Sequence, residues 1–320
     1  RLVGSEMCIR DRVWGGGGGG VAAAVNSAAA AVYSGQARCV AVYRGLSEAS
    51  DGRRSFAKGH LGSLYSAHGV LAPAQVCALR TQRLLEIDGV PSSAMESVAM
   101  AGYHHAQNNP RAVAYGKPLD HDLYAGSRPI SEPLRLYDCS RENDGAGAIL
   151  IVATERASEY RGTPAVILAG VQGAASGWTE SAENETAYTT AGFHPTMVRR
   201  LWDDARVGAA EVDVAQVYEN FTGPAVASMI DLGLCPAGAE AGAFMTLDNL
   251  TAPHGALPIN TAGGNIAEGF VHGIGLVVEA VRQIRGGSAN PVTGADVSLL
   301  IGGPMAPLVS STVFGSLQTV

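Results

Sequence analysis

Between Gly15 and Ser34 the chain runs for twenty residues without a charge. Six glycines, Gly15–Gly20, lead directly into Val21–Ser34 (VAAAVNSAAAAVYS), where alanine and valine fill most positions. A helix with no polar stripe cannot lie on a surface, so this one must be buried on most sides. Gly35 supplies its stop. The glycines read as a close backbone approach to that helix rather than as a flexible linker. A layered α/β protein is the architecture that buries such an element. Arg1–Arg12 (RLVGSEMCIRDR) shares no helical or strand period with the residues after it and reads as a non-native leader, 1–12. A domain is not expected to open on a buried helix, so native residues are expected upstream.

Composition excludes several classes. The 320 residues are 47% hydrophobic and 16% charged, which suits a packed core and excludes wholesale disorder. No apolar run reaches the length of a membrane-spanning helix. The net charge of −7 lacks the basic surplus of a nucleic-acid binder. Cys8, Cys39, Cys77, Cys139 and Cys235 are widely spaced with no CxxC pair, which argues against a zinc site or a disulfide framework and suits a reducing cytoplasm. His104 and His105 are adjacent, point apart on a helix and have no third ligand nearby, so no metal is expected. The glycine run matches GxGxxG trivially, without a preceding strand or a suitably spaced acid, so no dinucleotide is expected either.

Periodicity lays out the rest. Cys39–Arg44 (CVAVYR) reads as a central, parallel strand. Leu46–Arg128 is more polar and reads as a helical excursion, with helices at Pro73–Asp88 and Ser92–Asn108. Asn143-Asp144-Gly145-Ala146 is a turn signal before strands Ala148–Thr154 and Ala165–Gly173. His194–Val207 is helical with His194 as its cap, Val212–Tyr218 is a strand end, and Pro224–Leu232 is a helix. A glycine-terminated loop, Pro258–Gly264, precedes a helix over Gly269–Arg285 with Phe270, Ile274, Val277, Val281 and Ile284 on one face. Val297–Ile301 is a strand. Aligning Gly35 with Gly286 sets Gly18 opposite Gly269 and Val21 opposite His272, which suggests a duplicated unit.

Four stretches agree in order with one family. They are Ala28–Gly45 (AAAAVYSGQARCVAVYRG), Ser127–Val152 (SRPISEPLRLYDCSRENDGAGAILIV), Asp213–Ala225 (DVAQVYENFTGPA) and Leu257–Gly286 (LPINTAGGNIAEGFVHGIGLVVEAVRQIRG). Together they resemble the thiolase superfamily, most closely its lipid-transfer or sterol-carrier type. The resemblance implies an α/β fold of five layers, a duplicated αβαβα, usually dimeric. It implies an incomplete N-terminal half over 13–195, with the excursion at 46–128, and a C-terminal half over 196–320.

A thiolase carries its acyl group on a cysteine at a helix N-terminus, where the dipole lowers the thiol pKa. The resemblance puts that elbow at Gly18, and no cysteine is there. The second cysteine would fall near Leu300, and the family's Gly-His-Pro reads Gly269-Phe270-Val271. Cysteine-based condensation is therefore not expected. Tyr218 stands where the family has Asn, or His in the sterol-carrier type; it is a candidate proton donor, or else a core tyrosine with a satisfied hydroxyl. His272, in the first turns of the last helix, is a second catalytic candidate, or else a capping histidine. Asn260, Gly263, Gly264 and Gly18 are expected to shape the substrate pocket, and Glu219 either orients Tyr218 or faces solvent, the latter being favoured.

A cysteine-lacking subgroup of the family cleaves β-hydroxyacyl-CoA thioesters of steroid side chains by a retro-aldol reaction, using tyrosines and a small OB-fold, zinc-ribbon partner. This chain has Phe270 where that subgroup often carries a hydroxyl. The expected function is retro-aldol cleavage of a lipid or steroid acyl-CoA. A non-catalytic acyl-CoA-binding or scaffold subunit and an acetyl-CoA acyltransferase are the alternatives. A CoA thioester is expected as substrate with no bound cofactor, and the chain is expected to act as a cytoplasmic homodimer.

Overall fold

The computed structural model describes residues 17–51, 63–173, 188–303 and 308–319; the leader 1–12 lies outside them. The uncharged run forms a 3-10 turn, Gly17–Gly20, and helix α1 (Val21–Tyr33), with Val21, Ala22, Ala23, Val25 and Ala28 buried. Strand β1 (Cys39–Ser47) is next, then helices α2 (Glu48–Asp51), α3 (Ser63–Ala67), α4 (Pro73–Glu86), α5 (Ser93–Ala106) and α6 (His121–Ala125). A small hairpin, β2 (Pro129–Ser131) and β3 (Leu134–Arg135), precedes the long strands β4 (Asp144–Val152) and β5 (Val166–Gly173). Helix α7 (Pro195–Ala205), strand β6 (Val214–Val217) and helix α8 (Thr222–Asp231) come next. Short helices α9 (Glu240–Phe244), α10 (Leu247–Leu250) and α11 (Gly264–Ala267) lead to α12 (Ile274–Ile284), β7 (Val297–Gly302) and β8 (Val309–Gly315).

The larger sheet has the order β5-β8-β7-β6, with β6 and β7 parallel and the other pairs antiparallel. Helices α1 and α12 lie between this sheet and the β1-β4 pair, touching both. Leu300 and Phe314 point into that helical layer, while Leu299, Ile301 and Val313 belong to the core on the opposite face. There α7 packs on β5 and α8 on β6, with α4 and α5 stacked on α8. The described residues thus lay out four layers, β-α-β-α, in the order expected of the five-layer fold.

Three expectations are corrected. Strand β1 is neither central nor parallel: it pairs antiparallel with β4, from Cys39↔Val152 to Ser47↔Asp144. Its apolar run hid an alternation, because the outward residues are apolar too: Tyr43 is 78% exposed, as is Leu150 (60%) on the paired strand β4. The turn signal at Asn143–Ala146 instead opens β4, and the Asp144 carboxylate turns sideways to accept from Ala49 N (2.9 Å) and Ser50 N (3.1 Å) of α2. The last helix starts at Ile274 rather than Gly269, because His272 and Gly273 have φ of 48° and 81°, which no right-handed helix accommodates. Among the described residues no helix is long and apolar enough to cross a membrane.

Strand β8 had no sequence signal, since Ser310, Ser311 and Thr312 interrupt its apolar pattern. All three are buried, and each hydroxyl has a partner: Gly19 O (2.6 Å), Leu300 O (2.8 Å) and Asn26 Oδ1 (2.7 Å). Asn26 in turn donates to Val171 O (3.2 Å) and Ser311 O (3.1 Å), tying α1 to both β5 and β8. Gly170 makes room for it, as a Cβ there would lie 2.1 Å from Asn26 Oδ1. Asn26→Leu orphans the Thr312 hydroxyl and two carbonyls. It is expected to lower the unfolding free energy by about 2 kcal/mol in urea titration, and Thr312→Val in the same chain to recover part of the loss.

Candidate active site

Tyr218 stands at the end of β6, where its N–H donates to Ile301 O of β7 at 3.0 Å. Its ring is buried against backbone: a Cβ on Gly18 would lie 2.0 Å from Tyr218 Cζ, and one on Gly273 would lie 2.8 Å from Cδ2. Tyr218 therefore fills the space that a side chain at position 18 would occupy. Burial, with the nearby Glu219 and Glu48 carboxylates, raises the phenol well above its ordinary pKa, so it is a protonated donor at neutral pH. Among the described residues its hydroxyl has no hydrogen-bond partner. Asn260, at φ 50°, holds the strand end in register: its Oδ1 accepts from Val217 N (2.7 Å) and its Nδ2 donates to Val217 O (3.0 Å).

Glu219 does not face solvent; it is buried, and this expectation is corrected. Its Oε1 accepts from Ile266 N at 3.3 Å, and a Cβ on Gly264 would fall 1.8 Å from that oxygen. Gly264 (φ 63°) is the space the carboxylate occupies, and Gly263 (φ 111°) carries the chain into α11 in a conformation glycine tolerates. The sequence could not show this, because β6 ends at Val217 and the alternation that would assign faces ends with it. Burial pushes Glu219 up to about 8, against the opposing pull of its backbone and Asn260 hydrogen bonds.

His272 lies just before α12, on left-handed backbone. Arg44 Nη2 donates to its Nδ1 at 2.6 Å, and Glu48 Oε1 lies 3.6 Å from its Nε2. A guanidinium only donates, so Nδ1 is the acceptor and Nε2 carries the proton of a neutral ring. Burial, and next the Arg44 charge, lower its pKa to about 4. The Phe270 ring sits edge-on to both neighbours, its centroid 5.2 Å from that of His272 and 6.3 Å from that of Tyr218. Asn143 Oδ1 accepts from Phe270 N at 2.9 Å. Beside this stretch is a cavity of about 120 Å³ lined by Tyr103, Lys117, Tyr137, Arg141, Asn143 and Ile266.

The structure thus brings Gly18, Tyr218, Phe270 and His272 together, while Asn260 holds the backbone of Val217. Gly264 lies under the carboxylate of Glu219, the residue after Tyr218, and Gly263 precedes it in the same loop. Arg44 and Glu48 were missed. The signal for Arg44 was a charge at the end of an apolar strand; Glu48 fell within a stretch that carries no motif. Among the described residues no group of three or more His, Cys, Asp or Glu is placed to hold a metal. His104 and His105 lie at the end of α5, where buried His105 accepts from Ala252 N at 3.0 Å.

Comparison with known proteins gives this geometry its relatives. The thiolase C-terminal domain-like family matches residues 174–314. The 17-hydroxy-3-oxo-4-pregnene-20-carboxyl-CoA lyase of Mycobacterium tuberculosis is 35% identical over 297 residues, 87% of this chain and 74% of that protein. A steroid side-chain-cleaving aldolase of Thermomonospora curvata is 33% identical over 295 residues, with the same two shares. The solved Ltp2-ChsH2(DUF35) aldolase superposes with a TM-score of 0.85 at 31% identity, over 94% of this chain and 78% of that one. The chain belongs to the thiolase superfamily, in its lipid-transfer-type branch.

The resemblance puts the family's nucleophile elbow at Gly18, a glycine under a tyrosine ring. The donors left around it are neutral, and the nearby carboxylates pay a desolvation cost for ionising. Glu268 and Asp231 are likewise pushed up to about 7 by burial, Glu268 also by Glu279. These groups bind protons in the folded state that the unfolded chain has released by about pH 5. Stability is therefore fullest below the ordinary carboxylate range and is lost as pH rises through 7 to 8. The melting temperature is expected to fall by at least about 1.5 °C between pH 5.5 and 8.5, the effect of about 1 kcal/mol in a chain of this size. Glu219→Gln should flatten that slope, as scanning calorimetry at the two pH values would show.

Proposed function

We propose that this chain is a carbon–carbon lyase that splits a β-hydroxyacyl-CoA, by a retro-aldol step, into a carbonyl compound and a shorter acyl-CoA. The observation that carries this reading is the contact between Gly18 and Tyr218: the elbow has neither a thiol nor space for one. Cleavage of a β-hydroxy thioester needs no covalent acyl carrier. It needs donors for the thioester oxygen as the enolate forms, and the neutral phenol of Tyr218 and the Nε2–H of His272 are two such donors beside an apolar ring. The names of the two lyase and aldolase relatives support a steroid-type acyl group.

The cavity walled by Lys117 and Arg141 suits the phosphate-bearing arm of coenzyme A. In this reading the protein works as a homodimer together with a small OB-fold, zinc-ribbon subunit. Support for such a partner comes from the solved relative, whose name joins Ltp2 to a DUF35 protein.

Mass spectrometry of a β-hydroxyacyl-CoA incubated with the full-length protein and its partner is expected to show the shortened acyl-CoA and the carbonyl product, with no acyl adduct on the chain. Tyr218→Phe should lower kcat about 100-fold or more, the usual loss for one oxyanion donor. Cleavage at the wild-type rate in that variant would remove Tyr218 from the reaction.

A further inference from the structure

A retro-aldol step, on which the lyase reading rests, also requires an acceptor for the proton of the β-hydroxyl. Tyr218 is a protonated phenol and can only donate in that role. His272 has its Nδ1 lone pair occupied by Arg44 Nη2 at 2.6 Å and a proton on Nε2, so it too faces the substrate as a donor. Asn260 is committed to both backbone groups of Val217. Glu219 is turned into the Gly264–Ile266 loop. None of the expected site residues takes a proton.

Glu48, Glu219 and Glu279 each keep a buried carboxylate oxygen with no hydrogen-bond partner among the described residues. Glu219 lies against Gly264 and Ile266, and Glu279 is on α12 against Thr261 and Ser288; Glu48 is the carboxylate beside His272. Glu48 Oε1 lies 3.6 Å from His272 Nε2, while Glu48 Oε2 is buried and has no hydrogen-bond partner among the described residues. Arg44 Nε beside it is a buried donor in the same condition. A carboxylate and a guanidinium left with unmet hydrogen bonds in one place are costly unless a ligand supplies what is lacking. A hydroxyl both donates and accepts, and so answers both atoms. The position of Glu48 is fixed: it opens α2, whose Ala49 and Ser50 amides are held by the Asp144 carboxylate at 2.9 and 3.1 Å. Asp144 is at the start of β4, two residues beyond Glu142, which pairs with Phe270 across an isolated bridge.

We propose, resting on the lyase reading, that Glu48 is the base that takes the proton from the substrate β-hydroxyl, and that Arg44 is a positioning residue that fixes the His272 tautomer. In the step, the O–H proton passes to Glu48 Oε2 and its electron pair becomes the new C=O. The Cα–Cβ bond breaks, and its pair forms an enolate whose oxygen is met by His272 Nε2–H and the Tyr218 hydroxyl. The proton held by Glu48 is then returned to Cα, leaving the carbonyl compound and the shorter acyl-CoA with no further reactant.

The groups facing Glu48 are Arg44 on the preceding strand, Glu142 ahead of β4, His272 before α12 and Tyr218 after β6. Burial and Glu142 raise its pKa, and Arg44 opposes them. The rate of the wild-type protein should therefore rise with pH along a limb set by Glu48, above the ordinary carboxylate range. The test is steady-state cleavage of a β-hydroxyacyl-CoA by full-length wild type, Glu48→Gln and Glu48→Asp, each with its partner subunit and with matched melting curves. Glu48→Gln is expected to lose about 100-fold or more in kcat with KM little changed, and to lose the acidic limb; Glu48→Asp recovers part of both. Wild-type cleavage retained in Glu48→Gln within about threefold, less than one proton-transfer catalyst supplies, overturns the base and leaves the lyase standing. Absence of cleavage in wild type overturns the lyase reading and the base with it.

Discussion

The space above Gly18 can hold a tyrosine ring or a side chain at position 18, but not both. The neighbouring glycines extend the same constraint. A Cβ on Gly303 would lie 2.1 Å from Gly19 N, and one on Gly302 would lie 3.0 Å from Gly18 O. The 3-10 turn before α1 is thus pressed against the end of β7, with Ser310 Oγ donating to Gly19 O at 2.6 Å. What looks like low complexity in the sequence is a packing requirement: the backbone of the turn forms one wall of the site, and any Cβ at Gly18 must displace the phenol that faces it. The absence of a thiol and the presence of Tyr218 are one structural fact.

The site inverts the usual charge habits of its residues. A thiolase-type centre relies on charged forms, a thiolate and the groups that accept its protons. Here burial holds the phenol and the imidazole neutral and turns both toward donating. The imidazole is held so by a cation: a guanidinium 2.6 Å from Nδ1 leaves no place for a second proton. Two non-glycine residues with positive φ, Asn260 and His272, bracket the loop that does this. Strained backbone persists where surrounding contacts over-determine it. Asn260 is fixed by two hydrogen bonds to Val217, and His272 by Arg44 and the edge of Phe270.

Legibility tracked the range of the interactions. Helix α1 was readable because an uncharged helix has few places to go, and Tyr218, His272 and Gly18 were readable because a resemblance aligned them with a known centre. The antiparallel pairing of β1 was hidden, since both of its faces are apolar. Strand β8 was hidden because its hydroxyls are satisfied by α1, β7 and the Gly17–Gly20 turn, and α1 and that turn are far from it in sequence. Arg44 and Glu48 meet His272 across more than 220 positions of chain, and no local pattern records such a contact.

Phe270 bears on the same pair of donors. The resemblance places a second phenol at this position in many cysteine-lacking members, and its loss would leave the enolate with one phenol. In this chain the ring that lacks the hydroxyl lies edge-on between Tyr218 and His272. An apolar ring there excludes water from two donors at once, which strengthens each hydrogen bond they make and keeps both neutral. In the proposed reaction His272 is the second donor, in place of the missing phenol. The substitution at 270 is consistent with lyase chemistry only if the imidazole is held as a donor, and the Arg44 hydrogen bond to Nδ1 is what holds it so.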